Sequence, residues 1–400
     1  MALTHAEILK IRDELFCEDV PIPADSVGWT ESAAREFFER GGTPVNPMRL
    51  YAVSDLHWDH AENKSWAEAL HDCAHAGDAI IIAGDIGHRA ADIESCLRLF
   101  KSKFGEVLYC SGNHELWVKR PDAHVPDRPP FADSLEKLEW LLQLCDTLGV
   151  RARLVAHERG AGCWVLSALI TLLLVWQVRT TPTKLAGLVW VLPLLGWYES
   201  NLDGQADAAS LCAAGGIMDA HLCQWRSDAT SDEMAEQFAR WNTSTLARAP
   251  FDAPVITFSH FLPRAELLPP RKPTHSLLGM GSRGFLVDVA GSHALERQLR
   301  ALDSRLHVFG HTHISWDACI DGVHYVQNAV RTPRERAEWH SRVDAIFSRG
   351  IDVLMVWTAE RPGIFCPQPA RCECAAASAS RNGASAVRRP LHAGWALGAA

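Results

Sequence analysis

Apolar residues follow two different spacings along the chain, and the change between them falls near residue 49. Before it, "THAEILKIRDELF" (4–16) repeats its apolar positions at helical intervals, and "TESAAREFFER" (30–40) does the same behind Thr30, an N-cap residue type. Residues 1–48 are therefore expected to form a helical N-terminal extension. From residue 49, short apolar runs alternate with helical segments, the pattern of an α/β domain, expected over 49–360. "DSLEKLEWLLQLCDTLG" (133–149) predicts an amphipathic helix capped by Asp133 or Ser134 and stopped by Gly149. "SDEMAEQFARWNTSTL" (231–246) predicts another. Residues 361–400 predict a low-complexity, disordered tail, with Ala, Ser, Arg and Gly lacking periodicity from about 366.

Five of the apolar runs end alike. "RLYAVS" (49–54) is followed by Asp55-Leu56-His57, and "AIIIAG" (79–84) by Asp85. "EVLYCSG" (106–112) leads into Asn113-His114-Glu115, "PVITFS" (254–259) into His260, and "RLHVFG" (305–310) into His311-Thr312-His313. In open α/β sheets the carboxyl ends of the strands share one edge, where sites form, so these residues are expected to converge. Asp55, Asp85, Asn113 and four histidines make a mixed nitrogen and oxygen set without thiolate. Such a set suits Mn, Fe or Zn better than Ca or a structural zinc. Seven side chains are too many for one ion with an open position. They fit two divalent ions roughly 3.5–4 Å apart, one carboxylate bridging them.

Composition narrows the picture little. The chain is 48% hydrophobic and 22% charged, an ordinary globular balance. A net charge of −9 argues against general nucleic-acid binding, which needs a basic surface. The twelve cysteines have no repeated spacing, and "MALTHAEILKIRDELF" has no apolar signal-like core. The cysteines are expected to be reduced and mostly buried, in a cytoplasmic or nuclear protein. Cys366, Cys372 and Cys374 lack a second pair and lie in the tail, so they are read as incidental thiols.

In order and context, Asp55-x-His57, Gly84-Asp85, Gly112-Asn113-His114-Glu115, Ser259-His260 and Gly310-His311-x-His313 resemble the motif series of calcineurin-like metallophosphoesterases. The resemblance covers about residues 49–330, and the flanking sequence looks like a poorly characterised eukaryotic branch. It implies a four-layer α/β/β/α sandwich and hydrolysis of a small phosphoester, either a diester or a monoester. It implies that Asp55, His57 and His313 hold one ion, that Asn113, His260 and His311 hold the other, and that Asp85 bridges them. A water shared by the ions would be the nucleophile. His114 would stabilise or protonate the leaving oxygen as general acid, and Glu115 would orient or charge-tune that imidazole.

Departures from the family pattern matter too. The serine/threonine phosphatases of this family carry an Asp where His88 stands and an Arg soon after the Gly-Asn-His-Glu block; here Leu116-Trp117 follows. A protein phosphatase is therefore not expected. Arg264, Arg331 and Arg334 are candidates for phosphate contacts. Asp59 and His60, close to the first block, are candidates for the rim of the site. A non-catalytic scaffold built on the same fold is the alternative function, and the intact ligand set with His114 argues against it.

The apolar stretch 160–198 raises a membrane-associated alternative, since 160–178 carries no charge over nearly a bilayer's width. A single span conflicts with the implied chemistry, because Asn113 before it and His260 after it must meet at one ion. "CWVLSAL" (163–169) and "VWVLPLL" (189–195) are near-copies where the fold needs one strand, which points to an apolar insertion near 167–188. Two adjacent core strands joined by "RTTPTK" would read the same way.

Overall fold

The computed structural model describes residues 3–15, 22, 30–39, 48–71, 74–126, 129–152, 182–203, 218–268, 288–340, 352–363 and 365. Its strands are β1 (Arg49–Val53), β2 (His75–Ala83), β3 (Phe104–Cys110), β4 (Thr183–Leu185), β5 (Val189–Pro193), β6 (Val255–Phe258), β7 (Ser304–Phe309), β8 (Trp316–Ile320), β9 (Val323–Gln327) and β10 (Leu354–Thr358). The helices are α1 (His5–Glu14), α2 (Glu31–Glu39), α3 (Ala61–Glu68), α4 (Ala90–Lys103), α5 (Ser134–Leu148), α6 (Met218–Leu222), α7 (Ser231–Trp241), α8 (Thr243–Leu246), α9 (His293–Ala301) and α10 (Pro333–His340).

Period-two burial on both faces explains the layering. In β1, β2 and β3, residues such as Leu50, Ala52, Ile81, Ala83 and Leu108 share one buried cluster with Val191, Ile256, Phe258, Leu306 and Val308 of the other sheet. The intervening Val53, Ile80, Ile82 and Tyr109 pack with Ile93, Leu97, Phe100 and Leu141 of α4 and α5. On the far side Val255 and Phe309 join Phe238, Leu295 and Leu299 of α7 and α9. Strands buried on both faces in this way need continuous apolar runs, which is why they read as uninterrupted hydrophobic segments. The outcome is the expected α/β/β/α sandwich.

One sheet has the order β10-β1-β2-β3, the other β4-β5-β6-β7-β9-β8. β1, β2 and β3 are mutually parallel, as are β5, β6, β7 and β9, while β10, β4 and β8 pair antiparallel at the edges. The two sheets meet at the carboxyl ends of β1 and β9. There Ser54 N–H donates to the Asn328 carbonyl and Val330 N–H to that of Ser54, both at 2.9 Å. All five motif blocks therefore open onto one edge.

The helix boundaries follow their caps. Asp133 is the N-cap of α5, accepting from Glu136 N–H at 2.8 Å, and Gly149 ends it in the left-handed region. α7 starts from a Thr230–Glu233 capping box and breaks at Asn242, whose side chain bonds the Leu195 main chain. α1 and α2 pack on each other through Ile8, Ile11, Ala34, Phe37 and Phe38.

The second apolar copy is β5, a core strand between β4 and β6. The first copy, and residues 167–181 of the suspected insertion, lie outside the described residues. Residues 183–188 form β4 and the turn into β5, with Leu185 buried. No helix among the described residues is long and apolar enough to cross a membrane; residues 160–178 and the tail beyond 365 are not described. Cys96, Cys110, Cys145 and Cys223 are buried and form no disulfide. The expectation of reduced cysteines fails at Cys319, which is disulfide-bonded. It lies on the edge strand β8, where alternate residues face outward, so its thiol is not shielded by the core.

Candidate metal centre

Three of the five ligand blocks, those after β1, β2 and β7, turn sharply off their strands, and the backbone records the turn. Asp55, His57, Asp85, His311 and His313 all have positive φ, at 52°, 42°, 55°, 75° and 58°. Non-glycine residues in this region cost on the order of 1–3 kcal/mol each, and they persist where the surroundings over-determine them. Five such residues at one sheet edge mark a site the fold holds against local preference. Gly84, at φ 80°, is required for a further reason: a Cβ there would lie 2.5 Å from His260 Nδ1.

The seven expected ligands converge. Asp55, His57, Asp85 and His313 form one group that could hold a metal ion, and Asp85, His260 and His311 form a second. Asp85 belongs to both. His57 Nε2 lies 2.9 Å from His313 Nε2, which is 3.5 Å from Asp55 Oδ1. Asn113 Oδ1 lies 3.2 Å from His260 Nε2 and 3.1 Å from His311 Nδ1. Asp85 Oδ1 is 3.4 Å from His260 Nε2. These are nitrogen and oxygen atoms of ligand type brought to common points, an arrangement that a cation would stabilise and that suits the hard and intermediate donors present.

Each histidine is held by its other nitrogen or by a ring neighbour, which fixes the inward-facing atom. His260 Nδ1 bonds the Ala83 carbonyl at 2.9 Å, and His311 Nε2 bonds the Val289 carbonyl at 2.8 Å. His313 Nδ1 bonds both oxygens of Glu335, at 2.8 and 2.9 Å. Glu335 was not singled out from the sequence. It is the third residue of α10, and it also accepts from Thr332 N–H and Oγ1, both at 2.9 Å. The Thr-x-x-Glu spacing of a capping box was the available signal. Asp219, on α6, was also missed; it accepts from Asn113 Nδ2 at 2.9 Å.

The electrostatics are those of a crowded buried cluster. Burial works against charge on His313, yet Glu335 and Asp55 beside it push its pKa up to about 9. Burial likewise opposes charge on His260, which Asp85 pushes up to about 9. Burial drives His311 down to about 3 and lowers His57, which also faces His313. Asp85 is held well below the usual carboxylate range in spite of burial, chiefly by His260 and His114.

His114 flanks the ligands without joining either group. Its ring stacks on Trp117 with centroids 3.8 Å apart, and its Nε2 is 3.8 Å from Asp85 Oδ2. Burial pushes its pKa down to about 3. Glu115 is not where the resemblance would put it. Its carboxylate accepts main-chain N–H bonds from Asp85 at 3.2 Å, Ile86 at 2.6 Å and Gly112 at 2.7 Å. It ties the loops after β2 and β3 together instead of orienting the His114 imidazole, because it points under the loop into the core.

The arginines separate in the same way. Arg264 is taken up by Glu266, Glu296 and Asp321, at 2.6, 3.3 and 3.0 Å, and lies over the Tyr325 ring. A phosphate contact from Arg264 is thus not supported, since three carboxylates already surround it. Arg331 braces the site through its main chain, donating to the Asp55 carbonyl at 3.0 Å, and its Nη2 donates to Ser315 Oγ at 2.7 Å. Arg334 lies exposed on α10. Asp59 is exposed, and His60 is the N-cap residue of α3.

With the fold and the ligand edge in place, the class follows: the buried Asp and His cluster is that of a metal-dependent phosphoesterase, similar to the calcineurin-like family. Residues 48–164 match the family described as calcineurin-like phosphoesterase. Among curated proteins the chain is similar to the acyl-carrier-protein phosphodiesterase PptH of Mycobacterium tuberculosis, 24% identical over 300 residues, covering 73% of this chain and 80% of that protein. Among solved structures it resembles the phosphopantetheinyl hydrolase PptH of Mycobacterium tuberculosis, with a TM-score of 0.52 and 23% identity, covering 74% of this chain and 93% of that one.

Proposed function

We propose that the protein is a two-ion phosphodiesterase whose substrate is a phosphodiester borne on an acyl carrier protein. The observation that carries the two-ion reading is Asp85, the one carboxylate common to both ligand groups. Asp55, His57, His313 and Asp85 would hold one ion, and Asp85, Asn113, His260 and His311 the other. When bound, the ions supply Lewis acidity to the phosphoryl oxygens and lower the pKa of an attacking water towards ~7.

The remaining residues act through position. His114 would face the leaving oxygen. Its burial favours a neutral imidazole, which suits donation of an N–H hydrogen bond to a developing oxyanion better than delivery of a full proton. Glu115 keeps the β2 and β3 loops in register, so that Asp85 and Asn113 face the same space. Glu335 fixes the His313 ring from behind.

The likeness to the mycobacterial phosphodiesterase supports a protein-borne diester over the small phosphoester that the motifs alone suggested. The test is a comparison of three substrates on manganese-loaded protein: a phosphopantetheinylated acyl carrier protein, a bis-aryl phosphodiester and an aryl phosphomonoester. Mass spectrometry of the carrier protein should show release of the phosphopantetheine arm, with the monoester turned over least. Turnover of the small esters with an untouched carrier protein would reject the carrier-protein substrate and leave the phosphoesterase.

A further inference from the structure

Asp219 belongs to none of the motif blocks, yet it touches the site from behind at two points. It is buried on α6. A single oxygen, Oδ1, accepts from Asn113 Nδ2 at 2.9 Å and from Trp117 Nε1 at 2.6 Å. The Tyr198 hydroxyl bonds the same carboxyl group.

Each bond has a consequence on its far side. Asn113 has a two-faced amide, and with Nδ2 tied to Asp219 its Oδ1 must face His260 and His311. A rotated amide would aim two N–H donors at a point where an ion would sit. Trp117 is the plane on which His114 stacks, at 3.8 Å and 28°. The bond to Asp219 fixes the indole against rotation about χ2. Its main chain is fixed as well: Lys137 Nζ donates to the Trp117 carbonyl at 2.8 Å, and Val118 N–H to the Leu222 carbonyl of α6 at 2.9 Å.

We propose that Asp219 is a positioning residue that, through one carboxylate oxygen, sets both the ligand face of Asn113 and the stacking platform of His114. The inference rests on the roles proposed above for those two residues. It predicts that one substitution impairs an ion site and the leaving-group partner together, while its two arms can be separated.

The test uses the full chain. In metal-free, ¹⁵N-labelled protein the Trp117 indole N–H resonance, assigned by its loss in Trp117→Phe, should lie downfield and exchange slowly. Asp219→Ala should move it to the position of an unbonded indole. Asp219→Asn, which keeps Oδ1, should leave it near its original place. Titrated with manganese(II), Asp219→Ala should bind one of two ions about 10–100-fold more weakly, with a much smaller change in Asp219→Asn. Trp117→Phe should keep both ions and lose more turnover on an alkyl than on an aryl diester. An unmoved indole resonance in Asp219→Ala, or two ions bound as tightly as in the unaltered chain, would overturn the inference. If Asp219→Ala does not fold, equal losses on the two diesters in Trp117→Phe overturn it instead. An unaltered chain that binds no manganese overturns the functional reading, and this inference with it; an unaltered chain that binds two, beside an Asp219→Ala chain that binds two equally well, overturns this inference alone.

Discussion

His114 is the residue at which binding and turnover should separate. It stands beside the ligands, 3.8 Å from Asp85, but belongs to neither ligand group. His114→Ala should therefore keep both ions and lose roughly 10²–10³-fold in kcat, as for the loss of one donor to a developing oxyanion. The loss should be larger for an alkyl than for an aryl leaving group, because the poorer leaving oxygen depends more on a donated hydrogen bond. Metal content together with kcat on the two esters checks this; equal losses on both would place His114 in some other role. The convergence of the seven candidate ligands was legible in the sequence because each lies at or just past the end of an apolar run, and a strand end is a defined place in the fold. Glu115 was visible but its role was not. The family resemblance implied that it orients or charge-tunes His114, whereas the chain turns so that the carboxylate meets three main-chain N–H groups. Arg264 differs for a related reason: nothing in "SHFLPR" announces the carboxylates of Glu296 and Asp321, which two other segments bring to it beside the neighbouring Glu266.

At the scale of elements, the strand ends supply ligands and the helices hold them in place. Glu335 on α10 and Asp219 on α6 reach ligands that lie far away in sequence, and neither follows an apolar run, so periodicity could not reveal them. α5 makes the corresponding contact through Lys137, which is fully buried and donates to the carbonyls of His88 at 2.6 Å and Trp117 at 2.8 Å. Burial pushes its pKa down to about 7 from an ordinary 10.5. The sign follows from proton counts. Below about pH 7 both folded and unfolded chains carry the proton, and the cost of burying the charge is constant. Between pH 7 and 10.5 the unfolded chain still binds a proton that the folded chain has released, so this group makes stability rise with pH. The slope is at most about 1.4 kcal/mol per pH unit. Denaturant unfolding of the unaltered chain and of Lys137→Met, at pH 7 and pH 9, should show the difference between them moving in favour of the unaltered chain. Parallel pH dependences would mean that the buried amine is neutral, or charged, in both states across that range.

For the molecule as a whole, two sheets carry one site. β1, β2 and β3 bring Asp55, His57, Asp85 and Asn113, and β6 and β7 bring His260, His311 and His313. Neither sheet holds a complete ligand group: His313 completes the first group of Asp and His ligands, and Asp85 the second. Asp85 is thus where the two halves of the sandwich depend on each other, and a shared carboxylate is the centre of the proposed chemistry. The most direct measurement is metal content by elemental analysis, with turnover of an aryl phosphodiester, on the unaltered chain and on Asp85→Asn prepared alike. The account predicts two ions per unaltered chain, and in Asp85→Asn a loss of activity together with much of the bound metal. Two tightly held ions in Asp85→Asn would contradict it.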